Sequence, residues 1–282
     1  MSDLPDIAVV GYPFSLTGRG EDARSVCRAL WAAGASPGLV DVAVAAGPPD
    51  PDIAQMFTPH VRSGLSKGVN IFCINGDEVE RVCRLLDAGI FQRAHNIIYP
   101  AWELASYPEP WARLLERFDE VWAPSAFIHD AIAPAVATPV THLPLAVEMK
   151  LSSFLGRRWF GVPEDAFVVL FFFDASSFSE RKNPMGVLAA FERLAARRAD
   201  AQMHCVIKFR GAPDTEPERR ALEARLAALG GRVQAINADL SDNEIKNLVR
   251  NCDVFVSLHR SEGFGRGMAE AMALGRPAVA TG

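Results

Sequence analysis

The sequence predicts an α/β protein built from two doubly wound domains with parallel sheets, and three observations carry that expectation. Short β-branched, apolar runs recur along the whole chain with helical segments between them. The runs are apolar throughout rather than alternating with polar residues, as in strands covered on both faces of a parallel sheet. The rhythm breaks once, over 143–165, and then resumes. The expected domains are therefore 1–145 and 146–282, with a cleft between them and the second domain incomplete at its C-terminus.

In the first half, "DIAVVGY" (6–12) is a β-branched run ending at Gly11 and predicts a strand followed by a loop. "GEDARSVCRALWAAG" (20–34) has apolar residues at helical spacing, acids at its start and Gly34 at its end, which predicts a helix. Strands are expected at 38–45, 68–75, 95–103 and 118–125, which gives five in this half. The stretch 143–165 carries prolines and glycines without a clean period and reads as a linker. The second half then predicts strands at 166–173, 202–209, 232–236, 253–258 and 277–281. Helices are expected at 184–198, 215–229, 241–250 and 267–274.

Of the 282 residues 49% are apolar and 22% charged, values that allow a soluble protein with a sizeable core. The net charge of −5, without a basic stripe, argues against a nucleic-acid partner. Arginine-rich stretches such as "ERLAARR" are interleaved with acids and apolar residues and read as solvated helix faces. Five cysteines without paired spacing read as reduced core residues of a cytoplasmic protein. The most apolar stretch, "AFVVLFFF", is far shorter than the about 20 residues that span a bilayer, and the N-terminus lacks the pattern of a secretory signal. Six scattered histidines show no metal-ligand spacing, so neither a metal site nor a cofactor is expected.

The closing stretch, "HRSEGFGRGMAEAMALGRPAVATG" (259–282), carries the chemistry. "DVFVSL" is a strand, Glu262-Gly263-Phe264-Gly265 is the turn after it, and "GMAEAMAL" is a helix with Gly275 past its end and Pro277 beyond. The glycines thus stand where a strand hands over to a helix. The first amides of that helix lack intrahelical partners and form the positive end of its dipole, and glycine lets an anionic diphosphate approach them. Glu270 stands about one turn into the helix, where its carboxylate can accept hydrogen bonds from vicinal hydroxyls. Seven residues separate it from Glu262.

This pattern resembles the signature of the retaining nucleotide-sugar glycosyltransferases of the group 1 family, proteins of two Rossmann-like domains known as the GT-B fold. The resemblance covers nearly all of the second half. The first half is similar more loosely, through "GRGEDAR" and "YPAWELASYPEPW…FDEVWAPSAF", to members that build polysaccharides. The resemblance implies that Glu270 holds the donor's ribose hydroxyls, that Glu262 contacts the transferred sugar, and that the backbone of Gly263, Phe264 and Gly265 reaches sugar and diphosphate.

It further implies a lysine in the turn after the second half's first strand. Lys182 fits, with Arg181 beside it, as the charge that stabilises the leaving diphosphate. An arginine frequent five residues earlier is replaced here by Ser177. Gly18 and Gly20 in "GYPFSLTGRGEDA" imitate a dinucleotide fingerprint, with Asp41 in the place of its acid. Seven residues separate Val10 from Gly18, however, whereas in the fingerprint the glycines follow the strand at once. A donor-contacting loop is the expectation. Glu103, after Trp102, stands near the point where many family members carry a histidine, and is expected to contact sugar or acceptor. His259 precedes the turn and is expected to line the donor site, whereas His129, inside a helix, reads as structural. Lys208 and Arg210 end the next strand on the same sheet edge as weaker candidates.

The resemblance therefore implies an enzyme that moves a hexose from a nucleoside diphosphate sugar to a glycan or lipid-linked acceptor with retention of configuration. The alternative is a binding module or partner subunit that holds the donor without turnover. Family members continue past "AVATG", so a fragment of a longer protein or a shortened relative is expected. Peripheral attachment at the inner face of a membrane stays open, because lipid-linked acceptors lie there.

Overall fold

Parallel strands of β-branched and aromatic residues build both halves of the chain. The computed structural model describes residues 5–43, 48–86, 88–175, 179–211 and 215–282. It divides into two units, Met1–Ala146 with Glu262–Phe264, and Val147–Ser261 with Gly265–Gly282.

The first unit contains β1 (Ile7–Gly11), α1 (Gly18–Ala32), β2 (Gly38–Asp41), α2 (Pro51–Phe57), β3 (Val69–Phe72), α3 (Val79–Leu85) and α4 (Ala88–Phe91). They are followed by β4 (His95–Ile98), α5 (Glu109–Leu115), β5 (Glu120–Ala123), α6 (Ala126–Ile132) and β6 (Val140–His142). Its six strands lie in the order β2-β1-β3-β4-β5-β6, and every pair is parallel. Successive residues of a strand point to opposite faces. Ala8, Val10, Phe72 and Ile98 accordingly join one core with Leu115, Ile128 and Ile132. Val9, Leu39, Ile71 and Ile97 join another with Ala23, Cys27, Ile53 and Phe57 of the helices α1 and α2.

Two expectations are corrected here. Among the described residues the unit has six strands rather than five. β6 is a three-residue edge strand between Pro139 and Pro144 with two of its residues exposed, so it has no apolar run to betray it. The first helix begins at Gly18, two residues before the expected start, and Gly18 and Gly20 therefore lie in its first turn rather than in a loop. Ladder pairing also stops earlier than the apolar runs do, at Asp41, Phe72, Ile98 and Ala123, although Cys73, Ile74 and Tyr99 beyond those ends stay buried. Residues 44–45 of the expected second strand lie outside the described residues.

The second unit contains β7 (Phe167–Asp174), α7 (Ser179–Lys182), α8 (Pro184–Arg197), β8 (Met203–Arg210), α9 (Glu216–Leu229) and β9 (Val233–Asn237). α10 (Asp242–Asn251), β10 (Val254–Ser257), α11 (Arg266–Ala273) and β11 (Ala278–Ala280) complete it. The parallel strands lie in the order β11-β10-β7-β8-β9, with β7 and β8 in register from Phe167 opposite Met203 to Asp174 opposite Arg210. Phe171 and Phe173 face α8 and α9, while Leu170, Val206 and Phe255 face α10 and α11.

Within the stretch expected to be a linker, residues 152–157 are tightly held in this unit. Asn243, Asn247 and Asn251, one turn apart on α10, bond their backbone. Asn243 Oδ1 accepts from Ser152 N at 3.0 Å, Asn247 Oδ1 from Leu155 N at 3.0 Å, and Asn251 Nδ2 donates to Leu155 O at 2.7 Å. Arg157, which opens a short 3-10 turn, donates to the carbonyls of Asn251 and Ala166 and to the Asp253 carboxylate.

No disulfide joins the five cysteines, and burial pushes the thiols of Cys27, Cys205 and Cys252 up to about 12, which favours the protonated form. Among the described residues no helix is long and apolar enough to cross a membrane, and no group of His, Cys, Asp or Glu side chains is placed to hold a metal ion.

Candidate functional site

α11 is built to present its N-terminus at the carboxyl edge of the second sheet. Gly265 caps it in the left-handed region (φ 76°, ψ 50°), a conformation that favours glycine. The Gly265 carbonyl accepts from Met268 N at 3.0 Å and Ala269 N at 3.1 Å, which starts the helix at once. Two residues on, Gly267 seats the helix on the sheet. A Cβ there would stand 2.8 Å from Phe172 Cζ and 2.9 Å from Phe255 Cζ, so only glycine lets the backbone come this close to β7 and β10. At the other end Gly275 is left-handed (φ 71°), and Arg276 N returns to Ala271 O at 2.8 Å. Glu270 lies on this eight-residue helix one turn from its start and is partly buried.

A second device holds the basic turn between β7 and α8. Arg181 Nη1 donates to Ser261 O at 3.0 Å, and Arg260 N donates to Arg181 O at 2.8 Å. Arg260 Nη1 donates to Glu180 O at 2.9 Å and also meets Glu180 Oε1. Asn183 Nδ2 donates to Leu258 O at 2.7 Å. The guanidinium of Arg181, expected as a partner of the diphosphate, thus braces the segment that leaves β10. Lys182 lies in the same turn, partly buried. Ser177 lies outside the described residues.

His259 is 9% exposed, and its Nδ1 lies 3.1 Å from Ser257 Oγ. Arg210 pairs with Asp174 and Asp239. Burial, and then the neighbouring Arg210, hold the Lys208 amine below the ordinary lysine range.

In the first unit, the turn Glu262–Phe264 is fixed by close packing. Ser125 Oγ donates to Gly263 O at 2.7 Å, and a Cβ on Gly263 would stand 2.1 Å from Trp102 O, a distance no side chain tolerates. The Phe264 ring packs against the core that contains Tyr99 and Leu145. Gly263 N donates to Glu262 Oε1 at 3.3 Å. Glu103 follows Trp102 in the loop after β4, beyond the strand's end, and is partly buried. The Trp102 indole donates to Ser106 O at 3.0 Å and packs edge-on against Tyr107 and Trp111. His129, in α6, lies with Nδ1 3.0 Å from Asp130 Oδ1.

Gly20 has a structural reason of its own, because a Cβ there would stand 2.0 Å from Ser15 O, whereas one on Gly18 would meet nothing within 4 Å. Three residues were not singled out in the sequence: Asn183, Gly267 and Ser125. "KNP" carried a signal for the first, an Asn N-cap before a Pro at the first helical position. The other two depend on tertiary contacts that no local pattern encodes.

A parallel sheet whose carboxyl edge carries a glycine-capped helix N-terminus beside a basic turn is an arrangement suited to an anionic ligand. Residues 160–282 match the family model described as "Glycosyl transferases group 1". No curated protein matches it in sequence.

Among solved structures it resembles HepE from Anabaena, determined in complex with UDP-glucose (TM-score 0.69, 18% identity, 98% of this chain and 80% of that one). It also resembles sucrose-phosphate synthase from Thermosynechococcus elongatus (TM-score 0.68, 18% identity, 98% and 81%). A third likeness is to α,α-trehalose 6-phosphate synthase from Burkholderia multivorans (TM-score 0.61, 12% identity, 98% and 83%). These likenesses show the fold, GT-B.

Proposed function

We propose that the protein transfers a hexose from a nucleoside diphosphate sugar to a glycan or lipid-linked acceptor, with retention of the anomeric configuration, in the assembly of a polysaccharide. The single observation that carries this reading is the glycine-capped N-terminus of α11, seated by Gly267 within the segment that matches the family. The donor's pyrophosphate lies against the first amides of α11, where the helix dipole favours negative charge. Glu270 accepts hydrogen bonds from the ribose hydroxyls. Lys182 balances the charge that grows on the departing diphosphate, an effect often worth about 2.7–4 kcal/mol per donor group. Glu262 holds the transferred sugar by its hydroxyls, Glu103 serves the sugar or the acceptor, and Gly18, Gly20 and His259 shape the donor's surroundings.

The diphosphate leaves and the acceptor hydroxyl attacks from the same face, with a donor phosphate oxygen taking its proton. This route needs no side chain as a nucleophile. The proposal includes the two-domain division at about residue 145, a first domain that receives the acceptor, and a cytoplasmic location with peripheral access to lipid-linked acceptors.

A thermal-shift panel of uridine and guanosine diphosphate sugars tests the reading. A true donor at a hundredfold its Kd should add roughly 2.7 kcal/mol of stability, and release of nucleoside diphosphate should then follow on addition of an acceptor. Stabilisation without release under any acceptor would favour a binding subunit, and no stabilisation by any nucleotide sugar would refute the proposal.

A further inference from the structure

Lys182 and the N-terminus of α11 lie on different segments of the second unit, and a diphosphate needs a cation and helix amides at a fixed separation. The Gly267 contact with Phe172 and Phe255 fixes the helix. The basic turn needs an anchor of its own.

Three observations converge on Asn183, the residue after Lys182. Its backbone is left-handed (φ 54°, ψ 51°), the one non-glycine residue with positive φ among the described residues. Its side-chain amide bonds in two directions at once, accepting from Gly186 N at 3.1 Å as the cap of α8 and donating to Leu258 O at 2.7 Å at the exit of β10. Gly186 is shaped to receive it, since a Cβ there would stand 2.5 Å from Asn183 Nδ2.

Asparagine tolerates the left-handed region better than most residues and alone combines that tolerance with one acceptor and one donor on a short side chain. Arg181 and Arg260 tie the same two segments from either side, through Arg181 Nη1 to Ser261 O and Arg260 N to Arg181 O.

We propose that Asn183 is a positioning residue for the donor. Its amide locks the Arg181–Lys182 turn onto residues 258–261, so that the lysine is held at a fixed distance from the α11 N-terminus. Strain in the left-handed backbone is kept at this point because the surrounding bonds over-determine it. The inference rests on the proposed function for the word donor, but the lock itself does not.

Two variants separate positioning from capping. Asn183→Asp keeps a left-handed-tolerant residue and the oxygen that caps α8, but it turns an acceptor toward the Leu258 carbonyl in place of a donor. Asn183→Gly keeps the backbone and removes both bonds. Hydrogen exchange of the unliganded protein reads the lock through the Arg260 amide, and steady-state kinetics with the nucleotide sugar found for the wild type read the donor site.

Both variants should speed exchange in the 255–261 segment. Both should raise the donor KM about tenfold, the effect expected for one lost hydrogen bond that orders a site, with kcat changed less. The Asp variant should nevertheless melt close to the wild type. If capping were the whole role, the Asp variant would match the wild type in exchange and in KM, and the proposal would be overturned. Faster exchange with an unchanged donor KM would overturn the donor role while leaving the lock. A wild type that takes no nucleotide sugar would bring down the proposed function, and the exchange arm would still decide the lock.

Discussion

Replacing Gly267 with alanine adds one methyl group at the point where α11 meets its sheet. The new carbon would stand 2.8 Å from Phe172 Cζ, 2.9 Å from Phe255 Cζ and 3.1 Å from Phe172 Cε2. Favourable carbon contacts lie at about 3.5–4.0 Å, so two rings or the helix must move. The Phe255 ring has little room to move. Phe255 is 2% exposed, and the rings pack edge to face with centroids 5.1 Å apart. Overpacking of this kind costs about 1–3 kcal/mol, and the entropy that alanine gains over glycine within a helix offsets about 0.5–1 kcal/mol of it.

The net expectation is a loss of about 1–2 kcal/mol, seen by scanning calorimetry as a fall in Tm of about 5 °C. Nucleotide affinity should fall with it, because the α11 amides shift. Adding Phe172→Leu should restore part of both losses, since it removes two of the three short contacts. A Gly267→Ala variant that melts at or above the wild type, with unchanged nucleotide affinity, would show that the close seat of α11 does not matter to the site.

Other variants probe separate links. Glu270→Ala should weaken nucleotide binding about tenfold or more in isothermal calorimetry, through the loss of charge-assisted bonds to the ribose, and unchanged affinity would remove that role. Glu103→Ala should keep residual transfer, and complete loss of transfer with donor binding intact would make this carboxylate a participant in the reaction. Lys208 offers a test by pH. Its amine is held below the usual 10.5, first by burial and then by Arg210, so the unfolded chain binds the proton more tightly than the native one. Stability should therefore rise with pH from the native value up to about 10.5, and Lys208→Met should flatten that rise in chemical denaturation. An unchanged slope would mean that the amine is well solvated.

Much of the second unit was legible because its strands are covered on both faces. The run Phe167–Phe173 is apolar throughout, and α8 and α10 announce themselves by their helical period. The short edge strand β6 was not legible, since Val140–His142 is held by pairing with β5 and not by burial. The true start of α1 was hidden for a related reason. Thr17 caps it without a side-chain bond, and Gly20 is required by the Ser15 carbonyl rather than by a loop.

In the site, the glycines and acids of the closing stretch were visible as spacing. The second task of Arg181, its bond to the Ser261 carbonyl, was not, because a basic side chain in a turn looks the same whether it meets a phosphate or a carbonyl eighty residues away. Nor could the sequence show that the Phe264 side chain is packed into the core that holds Tyr99, which leaves the turn its backbone to offer a ligand.

The most direct measurement is a crystal structure of the protein with an intact nucleoside diphosphate sugar. The account predicts pyrophosphate oxygens at hydrogen-bond distance, about 2.7–3.2 Å, from the first amides of α11, with the ribose hydroxyls on Glu270. A nucleotide sugar bound elsewhere, with the α11 N-terminus and Glu270 facing only water, would contradict it.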